Sequence, residues 1–221
     1  STAELSIVQA RKEINLFAER MSRMFGMLNT LLHETNENDF NKLFSRIEKY
    51  ENISDNMELE IANYLNKVSE GRLSSESKLE IRGMLREVTE IESIGDSCYN
   101  LARTINRKRS GGNDFTEKQY EHIHQMMQLT SDALAQMIAV VEDEHHVVDV
   151  NKSFNIENEI NNYRAQLKNQ NVVDVNNKEY DYQMGVHYMD LIGECEKLGD
   201  YVVNVVEART NVKEKKVGDN R

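Results

Sequence analysis

Glu92-Ser93-Ile94-Gly95-Asp96-Ser97-Cys98-Tyr99-Asn100 and Glu196-Lys197-Leu198-Gly199-Asp200-Tyr201-Val202-Val203-Asn204 share the pattern E-x-[IL]-G-D-x-x-x-N. The Glu, Gly, Asp and Asn recur at one offset of 104 residues, a coincidence that two unrelated helices rarely produce, so the chain is read as an internal duplication. At about 100° per residue the Glu and the Asp lie one turn apart on one helix face, and the Asn extends the row by another turn. That row sits away from the centre of the apolar face set by Ile91, Ile94, Cys98 and Leu101, so it must flank or oppose the core. A glycine inside a helix costs about 1 kcal/mol relative to alanine. Its repetition as Gly95 and Gly199 therefore points to close approach by a neighbouring helix.

Working outward, apolar residues recur in steps of three and four through Ile7, Ala10, Ile14, Phe17, Met21, Met24, Leu28 and Leu31, the stripe of one long amphipathic helix. The polar run from His33 to Asn38 breaks it. A second stripe then runs from Phe40 through Ile47, Tyr50, Met57 and Ile61 to Val68, with only Ser54 out of character. Gly71 and the Ser74-Ser75 pair supply a stop and an N-cap before the third helix. Lys108 to Gly112, basic and glycine-paired, falls where a duplication would place its joint. Helix four follows Asp114 or Thr116, a shorter helix five centres on Ile156, Ile160, Tyr163 and Leu167, and an Asn-rich stretch at 169–177 precedes helix six. The chain contains no proline, so nothing interrupts long helices. The expected fold is all-α: two tandem three-helix bundles over residues 1–110 and 111–212, with a charged tail at 213–221.

Helix two carries Glu51 and Asp55, and helix five carries Glu157 and Asn161 at an offset of 106. Each acidic motif begins one residue after an apolar one: Tyr50, Ile91, Ile156 and Cys195. Antiparallel neighbours then bring Glu51, Asp55, Glu92 and Asp96 together on one outer face, and Glu157, Asn161, Glu196 and Asp200 on the other. Carboxylates one turn apart repel by a few tenths of a kcal/mol, and no Lys or Arg lies within the Glu-to-Asp spans of helices two, three or five. A bound hard or borderline cation relieves that repulsion. The competing explanation is a solvated acidic face that binds only water or basic partners.

The formal net charge of -11 excludes a phosphate-backbone binder, which needs a basic stripe. No apolar run reaches the roughly 18 residues of a membrane span, so this segment is expected not to insert into a bilayer. Cys98 and Cys195 are far apart, fall on apolar positions, and read as small buried hydrophobes in a reducing compartment. His122 and His124 point about 200° apart on a helix. His33 and His187 stand single, and no Glu-x-x-His occurs, which disfavours the di-metal oxidase alternative. No catalytic machinery is visible, and the chain is read as a non-enzyme.

The motifs at Glu92–Asn100 and Glu196–Asn204 resemble the PhoU family, in which three helices bearing E(D)xxxD motifs are repeated twice, and the resemblance covers nearly the whole chain. It departs at Ser93 and Lys197, which replace the usual arginine, and at Asn161, which replaces an aspartate. The resemblance implies transition-metal ions (iron, zinc or nickel) held by the motif acids, and a regulatory task in phosphate transport. The opening stretch Glu4 to Ile14 is similar to the start of the cytosolic domain of bacterial sodium/phosphate cotransporter-like proteins. That similarity implies a domain at the cytoplasmic face of the membrane, joined to a transmembrane phosphate transporter region. The alternative is a free-standing PhoU-type regulator of ABC phosphate uptake. Monomer and homodimer both stay open.

Overall fold

The computed structural model describes residues 2–215, which form six helices: α1 (Thr2–His33), α2 (Glu37–Ser69), α3 (Ser75–Ser110), α4 (Glu117–Val141), α5 (Asn151–Asn176) and α6 (Tyr182–Thr210). Among the described residues there is no strand. Local chemistry fixes most of the ends. Asn36 Oδ1 accepts from the Asp39 amide at 3.0 Å and Ser74 Oγ from the Ser77 amide at 3.1 Å. Thr116 and Gln119 form a reciprocal capping box, and Asp181 Oδ1 accepts from the Met184 amide at 2.8 Å. Each such cap contributes on the order of 1 kcal/mol by satisfying amides that have no intrahelical partner. At the other end of α6, Asn211 adopts the left-handed conformation (φ 56°), as helix-terminating Asn residues do.

Among the described helices, α2 packs only on α1 and α3, and α5 only on α4 and α6. α3 also packs along α6, and α1 against α4. The two three-helix bundles therefore lie side by side around a four-helix centre of α1, α3, α6 and α4, with α2 and α5 as outer flanks. One continuous core runs through both. Leu28 of α1, Leu101 of α3, Met126 of α4 and Cys195 of α6 line the same small apolar cavity at the centre.

One expectation is corrected. Helix five is not short and does not end before the Asn-rich stretch, because α5 continues through it to Asn176. Asn171 Oδ1 accepts from the Tyr180 hydroxyl at 2.6 Å. Val175 lies where a side chain on Gly185 of α6 would be, so packing overrides the weak helix propensity of Asn and Val. Of the expected tail, residues 213–215 are non-helical and the Glu214 amide donates to Glu207 Oε1 at 3.1 Å. Residues 216–221, like Ser1, lie outside the described residues.

Candidate metal centre

The neighbouring α2 and α3 bring the two first-half acidic pairs together. Glu51, Asp55, Glu92 and Asp96 each place one carboxylate oxygen so that all four lie within 4.8 Å of one another. Glu51 and Glu92 are half-buried against the helices, whereas Asp55 and Asp96 are exposed. The close approach depends on Gly95. A Cβ there would lie 2.8 Å from Met21 Sδ, 3.0 Å from Ser54 Oγ and 3.5 Å from Glu51 Oε2. Ser54 is the polar interruption of the α2 stripe, and it is completely buried at this contact. Its small side chain, facing a glycine, lets α2 and α3 come near enough to bring the four carboxylates together.

Electrostatics match the geometry. Among the described residues none of these four carboxylates is ion-paired to Lys, Arg or His. Burial, reinforced by Asp96, Asp55 and Glu92, pushes the Glu51 carboxyl up to about 9. Burial, then Asp96 and Asp55, pushes Glu92 up to about 8. Glu58, one turn beyond Asp55, is also raised, by burial and then by Asp55 and Asp96. Carboxylates this close cannot all ionise without compensation, so they retain protons or take a cation. Glu51 Oε2 is buried without a hydrogen-bond partner, an orphaned acceptor of the kind a metal ion satisfies. The all-oxygen set suits a hard or borderline cation.

The second half differs. Among the described residues Glu157, Asn161, Glu196 and Asp200 do not converge as a comparable group. Asn161 Nδ2 donates to Glu157 Oε1 at 2.7 Å, and Arg164 Nε lies 3.7 Å from Glu196 Oε1. Glu157, only 4% exposed, is raised by burial and then by Glu214 from the segment after α6. Gly199 plays the part of Gly95, with Ile160 Cδ1 3.3 Å from its Cβ position. Ile160 stands at the place of Ser54 in the repeat, since both motifs on the flanking helices are offset by 106.

The signature asparagines serve the interface between repeats, not the acidic row. Asn100 Nδ2 donates to Glu194 Oε1 at 3.1 Å, and Asn204 Nδ2 donates to Glu90 Oε2 at 3.1 Å. Glu90 and Glu194 are themselves 104 apart, so the two bonds are copies of each other across α3 and α6. That recurrence, of a Glu two residues before each motif Glu, is readable in the sequence. Glu58 continues the acidic face of α2 and was detectable by extending the same helical count. His33 and His124, far apart in the sequence, are paired by the fold with Nε2 atoms 2.6 Å apart. Nothing in the sequence marked the buried pair of Glu87 with Arg209 at 2.6 Å. The cysteines conform to expectation: both are buried, and burial raises both thiols.

The sequence profile of the PhoU domain matches the chain twice, at residues 14–105 and 123–208. No curated protein matches the sequence at a significant level. Among solved structures, the chain is similar to the phosphate transport system regulatory protein PhoU from Streptococcus pneumoniae, at 15% identity, a TM-score of 0.76 and 94% coverage of each chain. It is also similar to PhoU from Pseudomonas aeruginosa, at 14% identity and a TM-score of 0.71, covering 93% of this chain and 96% of that one. The likeness to these structures is one of fold, whereas the profile spans both repeats and most of the sequence. On that match, with its duplicated motif and shared core, the chain belongs to the PhoU domain family.

Proposed function

We propose that this protein is a non-catalytic regulator of phosphate transport of the PhoU type whose first repeat holds transition-metal ions between α2 and α3. The observation that carries the metal assignment is the convergence of Glu51, Asp55, Glu92 and Asp96, with their oxygens within 4.8 Å and no basic partner among the described residues. When bound, the metal supplies positive charge that holds α2 to α3 in place of shared protons. Half-buried Glu51 and Glu92 and exposed Asp55 and Asp96 would hold it. Imidazole ligands of the kind a di-metal oxidase uses are not in this set. The partner is the membrane-embedded phosphate transporter, approached at its cytoplasmic face; no described helix is long and apolar enough to cross a membrane. Protein purified without chelator or histidine tag should contain iron, zinc or nickel by elemental analysis, and Asp55→Asn with Asp96→Asn should remove it. Full metal content in that double variant would refute the assignment, and oxygen consumption by the iron-loaded protein would favour the oxidase.

The match to two PhoU structures along nearly their whole length supports the PhoU-type regulator. One observation favours an attached cytosolic domain of a sodium/phosphate cotransporter-like protein: Leu5, Val8 and Leu16 share one face of α1 and are 73%, 52% and 53% exposed. A reading frame with hydrophobic spans preceding α1 would establish the attached form.

A further inference from the structure

We propose that only the first repeat takes a metal ion, because the guanidinium of Arg164 is the built-in cation of the second. This rests on the first cluster being the metal site proposed above. Aligning the flanking helices by their offset of 106 pairs Glu51 with Glu157, Asp55 with Asn161 and Glu58 with Arg164. The offset of 104 pairs Glu92 with Glu196 and Asp96 with Asp200. Five carboxylates in the first repeat thus become three carboxylates, an amide and a guanidinium in the second.

Each replacement acts against metal binding. Asn161 turns its amide nitrogen toward Glu157, donating at 2.7 Å, so one ligand oxygen of Glu157 is already used. Arg164 stands 3.7 Å from Glu196. A guanidinium does not lose its charge at any pH a protein survives, so a divalent ion entering here would meet a fixed positive group as well as a depleted ligand set. The consequence is visible in the geometry, since ligand atoms converge in the first repeat and not in the second. Glu214 and Asp200 also lie beside Glu157, but among the described residues the acids of this repeat do not form a converged set. Metal supply then alters one face of the molecule only, while Arg164 keeps the opposite face in one electrostatic state.

Manganese(II) titration, with free ion counted by electron paramagnetic resonance, tests this in three proteins: the unaltered chain, Asp55→Asn/Asp96→Asn, and Asn161→Asp/Arg164→Glu. Far-UV circular dichroism checks folding, and Asn161→Asp/Arg164→Gln replaces the last variant if it does not fold. The first-cluster variant should lose all stoichiometric binding, and the second-cluster variant should bind about twice as many ions as the unaltered chain. If the first-cluster variant keeps half the ions, the second repeat binds metal and the proposal is overturned while the first site stands. If the folded second-cluster variants gain no ions, Arg164 is not what excludes metal. If the unaltered chain binds none but the second-cluster variant does, the first-site assignment fails and the role of Arg164 survives.

Discussion

Glu87 is 1% exposed and its carboxylate accepts from Arg209 Nε at 2.6 Å. Arg209 also donates to the Val141 carbonyl and to Asn15 Oδ1, so a single guanidinium ties α1, α3 and the end of α4 to α6. Removing one partner of a buried pair strands the other, at a cost of roughly 3–5 kcal/mol. Arg209→Ala should lower urea stability by that amount, whereas Glu87→Leu/Arg209→Leu should lose much less. The acidic cluster behaves in the opposite sense. Glu51 and Glu92 have carboxyls raised to about 9 and about 8. Between about pH 4.5 and those values the metal-free folded state holds protons that the unfolded chain has released, so stability falls as pH rises through that window. Both groups are half exposed and partly screened by solvent, so the trend is predicted without a magnitude. Thermal unfolding of the chelated protein should show a midpoint that declines from pH 5 to pH 9, and Asp96→Asn should flatten the decline. Metal ions compete with the same protons, so saturating metal should abolish the trend and release protons on binding at pH 7.

At the scale of helices, the contact between α2 and α3 is set by small residues. Gly95→Ala would put a Cβ 2.8 Å from Met21 Sδ and 3.0 Å from Ser54 Oγ. Overpacking of this kind costs typically 1–3 kcal/mol, so the variant should lose about that in urea unfolding and bind metal more weakly as α2 is displaced. Gly199→Ala meets a flexible Ile160 tip at 3.3 Å and should lose less. The contrast follows from residues that the sequence displays. The stripes at steps of three and four, the duplicated motif and the caps at Ser74 and Thr116 made six helices legible, because each depends on neighbours in the chain. The acidic set of the first repeat was legible for the same reason: a row one turn apart on each helix needs only adjacency to become a cluster. What depended on contacts between distant segments was not legible. The helical state of 169–176 rests on Val175 against Gly185. The direction of Asn100 and Asn204 rests on the approach of α3 to α6. The role of Arg164 rests on α6 placing Glu196 3.7 Å from its Nε.

On the scale of the molecule, the question is whether two repeats make one cooperative unit. α3 lies along α6 and α1 against α4, and the core has no break between the halves. A fragment ending at Ser110 would expose the apolar faces of α1 and α3 that Leu28, Cys98 and Leu101 now bury. Apolar patches beyond a few hundred Å² drive association, so that fragment should self-associate or bind a hydrophobic dye. The intact chain should instead unfold in a single transition, with circular dichroism and tyrosine fluorescence coincident. Ligand bound to the native state alone stabilises by about 2.7 kcal/mol at a hundredfold excess over Kd. In a cooperative unit that gain is shared by every element, wherever the ligand sits. Metal added to the chain should therefore raise the unfolding midpoint of α4, α5 and α6 together with that of α1, α2 and α3, even if only the first repeat holds the ion. Hydrogen exchange at the slowest amides of α6 measures this, since those amides open only in global unfolding. Equal slowing of the most protected amides in both repeats is the expected result. Slowing confined to the first repeat would show two independently folding halves.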